Sequence, residues 1–228
     1  MQTDQIIRAA YERDGFYIRE RLLTEAECAD LKTEAMRVMR EHAKPTHSVY
    51  VGAAVVSPVF YKLADDPRVV AILRAIMPEG VMFMSDKIVF KSAEKTFASP
   101  WHIDAFYWRG TRPKISIWIP LDDANADNGT LIVVPGSHQR DWENVEGDIT
   151  KTNSEFGQEI ARPQWAKSHE VICNIPRGSA VFFSDRLAHA SCPNTAGRDR
   201  YTIISTYHAP APGEPFDLHF PARHVIQP

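Results

Sequence analysis

After Gly80 the chain changes its period, and this change constrains the fold more than any other feature. From Val81 onward the apolar residues fall in short runs: 81–90, 115–121, 130–134, 171–173, 180–183 and 201–208. They are rich in Val, Ile, Phe and Tyr, and Pro, Gly, Asn and Asp turns separate them. Many short strands without helices between them predict a sandwich or jelly roll. Residues 1–80 read differently. Gln5 to Arg13 has the pattern of a short helix ended by Asp14-Gly15, and Phe16-Tyr17-Ile18 follows as a strand. Thr24 with Glu27 three residues on is a capping box, and Cys28, Leu31, Ala35 and Val38 recur at helical spacing, so a helix is expected from Thr24 to about His42. Pro45 to Ser57 reads as irregular or a weak strand. Asp66-Pro67 opens a further helix that runs to about Met77 and stops at Pro78-Glu79-Gly80.

The expected organisation is one domain over 1–228, mainly β with flanking helices. It comprises a helical N-terminal buttress over 1–80, a jelly-roll core over 81–208, and a Pro-rich tail over 209–228 that drapes over the surface. Residues 139–168 hold Trp142, Phe156 and Trp165 and are long for a plain connection. They read either as a lid or as a surface excursion pinned to the body by its aromatics.

The 228 residues carry a net charge of -3 with no dense Lys/Arg run, so charge lends no support to nucleic-acid or membrane-surface binding. The apolar runs are far too short to cross a bilayer, and the first ten residues lack the apolar core of a signal peptide. Cys28, Cys173 and Cys192 form a sparse, odd set, which fits reduced thiols and a cytoplasmic location. The expected partner is a small-molecule substrate, with no nucleic acid and no membrane; nothing in the pattern reports on oligomeric state.

The chemistry concentrates in Trp101-His102-Ile103-Asp104. In an extended strand alternate side chains share a face, so His102 and Asp104 can aim at one point. His189 is placed to add a third ligand from a neighbouring strand. Two imidazoles and one carboxylate with open positions form the facial triad of non-haem Fe(II) oxygenases. A 2-oxoacid can chelate such a metal through its keto and C1 carboxylate oxygens, and its distal carboxylate then needs a cation. The planar fork of arginine suits that task. Arg198 and Arg200 share strand parity, so alternation does not separate them.

Four segments in order resemble the phytanoyl-CoA dioxygenase family of Fe(II)/2-oxoglutarate-dependent oxygenases. Phe90-Lys91 through Trp101-His102-Ile103-Asp104 resembles a lysine-containing run into W-H-x-D. Trp118 to Asp123 resembles W-x-x-L-D-D, and Asn128 to His138 resembles N-G-x-L followed by V-P-G-S-H. His189 through Arg200 resembles H-x-S-x-x-N ending in Arg. The resemblance implies a double-stranded β-helix (cupin-like) fold with His102, Asp104 and His189 as iron ligands. It gives Arg200 the distal carboxylate of 2-oxoglutarate and Ser191 a lesser contact. The implied cofactors are Fe(II), 2-oxoglutarate and O2. The implied reaction is oxidation of a C–H bond, most simply hydroxylation, with release of succinate and CO2. Ile103 stands where many members carry Gln, which removes a polar contact near the cosubstrate or substrate. Asp104 fills the position that would otherwise take a halide.

Lys91 reads either as a partner for a substrate or cosubstrate carboxylate or as an exposed strand lysine. Ile103, Phe106, Tyr107, Trp108 and Trp118 are candidates for the substrate pocket, with Arg109 beside them. His138 reads as capping the turn after its strand, and His208 as core or surface. His42, His47, His169, His219 and His224 are expected to face solvent, and Cys192 to be a small buried filler. Rival readings use the same site for desaturation, cyclisation or epimerisation, place a hydrolytic zinc there, or keep the fold as a non-catalytic interaction module. Arg200 argues against the zinc reading and the intact residue set against the last.

Overall fold

In a computed structural model the described residues are 2–107, 111–142, 149–151, 158–160, 169–210 and 220–227. The N-terminal part holds helix α1 (Gln2–Asp14), strand β1 (Phe16–Arg19), α2 (Glu25–His42), β2 (Val49–Val51), α3 (Ala53–Val56), α4 (Pro58–Ala64) and α5 (Pro67–Ile76). Strands β3 (Val81–Lys91), β4 (Ser99–His102), β5 (Lys114–Pro120), β6 (Leu131–Val133), β7 (Ile149–Lys151) and β8 (Gln158–Ile160) follow. Then come β9 (Val171–Ile172), β10 (Ala180–Ser184), β11 (His189–Ser191), β12 (Arg200–His208) and β13 (His224–Gln227).

Two antiparallel sheets form the jelly roll. The larger runs β1-β10-β5-β12-β3-β13, with β2 also paired to β3; the smaller runs β4-β11-β6-β9. Strands β7 and β8 pair with each other. Strand alternation separates two apolar clusters. Ile88, Ile117, Ile203, Phe182 and Tyr207 on the outer face of the large sheet pack under the helices. Trp118, Val181 and Phe183 on the inner face pack with Leu131, Val133 and Leu187 from the smaller sheet's side.

Helix α2 begins where the capping box places it. Thr24 Oγ1 accepts from Glu27 N at 3.2 Å, and Glu27 Oε2 accepts from Thr24 N at 2.7 Å. Its stripe of Cys28, Leu31, Ala35 and Val38 is buried. Helix α5 starts on an Asp66 cap with Pro67 at its first turn.

Residues 45–57 hold a weak strand, one of the two expected readings: β2 pairs with β3, and Asp86 fixes the segment after it. The Asp86 carboxylate accepts from Ala54 N at 3.0 Å. Two expectations need correction. The tail does more than drape, since β13 hydrogen-bonds along β3 at the sheet edge. His224 on that strand is not solvent-facing. It stacks on Tyr61 with ring centroids 4.7 Å apart, and its Nε2 lies 2.7 Å from Asp65 Oδ1.

Candidate active site

His102 ends β4 and His189 begins β11, and these two residues are direct cross-strand partners. Their imidazoles therefore rise side by side on one face, with ring centroids 4.1 Å apart. Asp104 arrives differently from the sequence expectation. Strand β4 stops at His102, and Asp104 opens a 3-10 turn over Asp104–Tyr107. The turn, rather than strand alternation, swings the carboxylate inward. Its Oδ1 lies 3.6 Å from His102 Nε2 and 3.8 Å from His189 Nε2. One donor atom from each of the three residues lies within 4.8 Å of the others, and all three residues are buried.

Each imidazole is oriented by a backbone carbonyl. His102 Nδ1 donates to Pro100 O at 2.8 Å, and His189 Nδ1 donates to Leu187 O at 2.9 Å. A carbonyl only accepts, so the proton sits on Nδ1 and the Nε2 lone pair is turned to the common centre. Burial lowers the pKa of both imidazoles, so they are neutral, as metal ligands must be. Burial works to raise the Asp104 carboxyl, but His189, Lys87, His102 and the Ser116 hydroxyl outweigh it and hold it below the ordinary range. Ser116 Oγ donates to Asp104 Oδ2 at 3.2 Å. The donor set of two neutral imidazoles and a fixed carboxylate fits a divalent iron with open positions.

The three residues line a cleft of about 720 Å3, open solvent included. Arg200 and Lys91, cross-strand partners on β12 and β3, line one end of it. Arg200 is buried. Its Nε and Nη2 donate to Asn128 O at 3.1 Å and Gly129 O at 2.9 Å, and Nη1 donates to Thr202 Oγ1. Burial pulls its pKa down to about 10, so it stays cationic at neutral pH. The guanidinium lies over Trp118, 5.6 Å from the ring centroid. Arg198, its rival by parity, precedes the strand and is exposed.

Lys91 is buried, not an exposed strand lysine, and its Nζ donates to Ser191 Oγ at 2.7 Å and Cys192 O at 2.6 Å. Burial, with Arg200 nearby, brings its pKa down to about 7. Gly129 lets it approach. The φ of +88° suits glycine, and a Cβ there would stand 2.6 Å from Lys91 Cδ. Ser191 Oγ also accepts from Ser99 N at 3.0 Å. Cys192 is half-buried and not a buried filler.

The pocket candidates divide. Trp118 lines the cleft. Ile103 does not: it packs with Val134, Trp142, Ile160 and Ala188 in a separate apolar cluster, and Phe106 leans on that cluster. The tight turn between His102 and Asp104 points Ile103 away from the three-donor cluster. Tyr107 is 45% exposed, and Trp108 and Arg109 lie outside the described residues. Trp142 pins the start of the 139–168 segment, its Nε1 donating to Ser137 O and Arg186 O at 3.0 Å. Phe156 and Trp165 lie outside the described residues. His138 is remote from the triad and donates from Nε2 to Glu12 O at 3.1 Å. Ser116 and Lys87 were not singled out from sequence. The available signal was parity, since Ser116 alternates with Trp118 and Lys87 with Lys91.

Residues 11–202 match the family model for Phytanoyl-CoA dioxygenase (PhyH). The chain belongs to this family. The ectoine dioxygenase of Bordetella bronchiseptica (strain ATCC BAA-588 / NCTC 13252 / RB50) is 25% identical over 239 residues, covering 92% of this chain and 76% of that protein. The L-proline trans-4-hydroxylase of Streptomyces griseoviridis is 24% identical, covering 88% and 84%. Among solved structures, the epimerase SnoN in complex with Fe3+, alpha ketoglutarate and nogalamycin RO superposes with a TM-score of 0.79 at 17% identity, covering 99% of both chains. This member of the PhyH family is an iron- and 2-oxoglutarate-dependent dioxygenase with a cupin-like jelly roll. Among the described residues no helix is long and apolar enough to cross a membrane.

Proposed function

We propose that this enzyme hydroxylates a C–H bond of a small-molecule metabolite, with His102, Asp104 and His189 holding iron and Arg200 holding the distal carboxylate of 2-oxoglutarate. The observation that carries the reading is the shared cleft. A three-donor cluster lies beside one end lined by a buried arginine and a buried lysine.

When bound, iron with 2-oxoglutarate and O2 supplies the oxidising power, yielding succinate, CO2 and an oxidised substrate. The protein's own groups do the rest. Pro100 O and Leu187 O fix the tautomers of His102 and His189. Ser116 Oγ orients Asp104, leaving Oδ1 toward the imidazoles. Asn128 O, Gly129 O and Thr202 Oγ1 hold the Arg200 fork in place before the cosubstrate arrives. Such preorganisation lowers the entropic cost of binding. Lys91 brings a second cation to that end, and Ser191 a hydroxyl. Trp118, Leu131 and Phe183 line the cleft with apolar surface and limit water.

Anaerobic addition of Fe(II) and 2-oxoglutarate should give a weak visible charge-transfer band, and metabolite-dependent succinate release should follow on admitting O2. Under 18O2 one labelled oxygen should appear in the hydroxylated product and one in succinate. No band and no succinate would overturn the oxygenase assignment of these residues. Succinate without label in the organic product would move the reading to desaturation, cyclisation or epimerisation.

A further inference from the structure

Resting on that reading, we propose that Asn128 is the positioning residue for the Arg200 fork, and so for the enzyme's choice of a 2-oxoacid that carries a distal carboxylate. A guanidinium has five N–H donors. Among the described residues three of those on Arg200 are engaged: Nε by Asn128 O at 3.1 Å, Nη2 by Gly129 O at 2.9 Å, and Nη1 by Thr202 Oγ1. One N–H on each Nη is left for a ligand. The carbonyls of two neighbouring residues thus set the direction in which that pair points. Direction matters, because a carboxylate takes two N–H bonds only from a fork that faces it.

The two carbonyls are placed by a turn, and the Asn128 amide closes that turn. Its Nδ2 donates to Asp123 O at 2.6 Å, and its Oδ1 accepts from Asn125 N at 2.9 Å. Asn125 O in turn accepts from Thr130 N at 3.2 Å. Asn128 is buried and does not line the cleft, so it acts through its backbone. Without the amide, Asp123 O and Asn125 N lose their partner in a partly buried place, and the turn must shift to pair them again. Asn128 O and Gly129 O shift with it. The same turn carries the second cation. A Cβ on Gly129 would stand 2.6 Å from Lys91 Cδ, and Thr130 O accepts from the N–H of Cys192, whose carbonyl receives Lys91 Nζ. On the other flank Asp122 Oδ2 accepts from Tyr201 N at 3.0 Å, next to Arg200, and its Oδ1 from Lys32 Nζ at 2.5 Å. The Leu121-Asp122-Asp123 and Asn128-Gly129 stretches therefore converge on the backbone around one guanidinium.

The test titrates the full chain, loaded anaerobically with Fe(II), through its visible charge-transfer band. The two probes are 2-oxoglutarate and 2-oxopentanoate, which carries a methyl where 2-oxoglutarate carries the distal carboxylate. The wild type should bind 2-oxoglutarate about 100-fold tighter or more, and Arg200→Met should bring that ratio below about threefold. Asn128→Ala should lower the ratio about tenfold through loss of 2-oxoglutarate affinity, while 2-oxopentanoate and Fe(II) bind as in the wild type. Asn128→Ser keeps a hydroxyl for one of the two backbone partners. It should lower the ratio at least threefold, and it decides the matter if the alanine variant does not fold. A ratio within threefold of the wild type in a folded Asn128 variant overturns the proposal. An equal loss of affinity for both 2-oxoacids overturns it as well, by making the amide a closure of the turn with no bearing on the fork. Failure of the cosubstrate reading shows separately: a wild type without the preference, or a preference that survives Arg200→Met, removes the assigned role of the fork before any Asn128 variant is made.

Discussion

The two faces of the large sheet are made by alternate residues of the same strands, and they differ completely in chemistry. On β12, Tyr201, Ile203 and Tyr207 turn outward into the apolar layer under the helices. Between them Arg200, Thr202 and Ile204 turn inward toward the cleft. On β3, Ile88 faces out while Lys87, Val89 and Lys91 face in. The outer face is mainly apolar, with Asp86 as a buried exception held by Ala54 N. The inner face carries buried cations whose cost is met by specific acceptors, so each inner residue has a chemical reason to be there. A period of two thus lets one strand serve stability on one side and chemistry on the other.

The largest effect comes from the smaller sheet that faces this inner side, where His189 on β11 is a proposed iron ligand. His189→Ala should abolish stoichiometric iron binding and cut succinate formation by ~1,000-fold or more, because the remaining two donors no longer form a facial set. The charge-transfer band and metal analysis read this directly. On the outer face, Ile203→Ala should cost about 2–5 kcal/mol of stability through a cavity under the helices. Iron and 2-oxoglutarate affinity below the melting transition should stay unchanged. If Ile203→Ala altered cosubstrate affinity as strongly as stability, the two faces would not be separable. Arg200→Lys comes next. It keeps the charge but loses the fork, so 2-oxoglutarate binding should weaken roughly 10–100-fold with iron binding intact.

The same division explains what the sequence revealed. Parity and turn residues sufficed for the strands, and the capping box placed α2, because those signals are local. Parity left Arg198 and Arg200 equivalent, and only the family spacing favoured Arg200. Parity misled at His102-Ile103-Asp104, where the strand ends after His102 and a 3-10 turn redirects the carboxylate. Ile103 consequently belongs to the Trp142 cluster and not to the cleft. Strand β11 covers only His189–Ser191, too short to show a period. Strand β13 owes its place to pairing with β3, a contact far away in sequence. Helix α4 did have a signal, Pro58 at its first position after Ser57, but seven residues leave little room for a helical stripe.

A smaller effect tests the inner face through pH. Lys91 falls from an ordinary 10.5 to about 7 because burial, helped by Arg200, disfavours its charged form. The unfolded chain therefore holds the proton more readily than the folded one across that window. Lys91's contribution to stability should rise as pH climbs from about 7 to 10.5 and be lost as pH falls to about 7. Cosubstrate binding has the opposite sign. If the ammonium faces a carboxylate, 2-oxoglutarate affinity should be greatest below pH 7 and weaken above it, by up to about tenfold per unit. Lys91→Met should flatten both dependences, as followed by calorimetric titration and thermal melts at a series of pH values. A wild-type affinity that does not change between pH 6 and 8 would count against any contact between Lys91 and the cosubstrate.

The smallest effect belongs to the helical layer behind the outer face. Thr24→Ala removes the hydroxyl that accepts from Glu27 N and leaves that donor to solvent. The expected loss is about 1 kcal/mol. Part of the Glu27 carboxylate's role survives, because it also binds Arg68 Nη2 at 2.7 Å. Since the buried stripe of α2 belongs to the apolar cluster on the outer face, its fraying should lower the melting temperature without moving the affinity for iron or 2-oxoglutarate. A change in either affinity would mean that the helical layer acts on the cleft through the sheet, and that the two faces communicate despite their opposite chemistry.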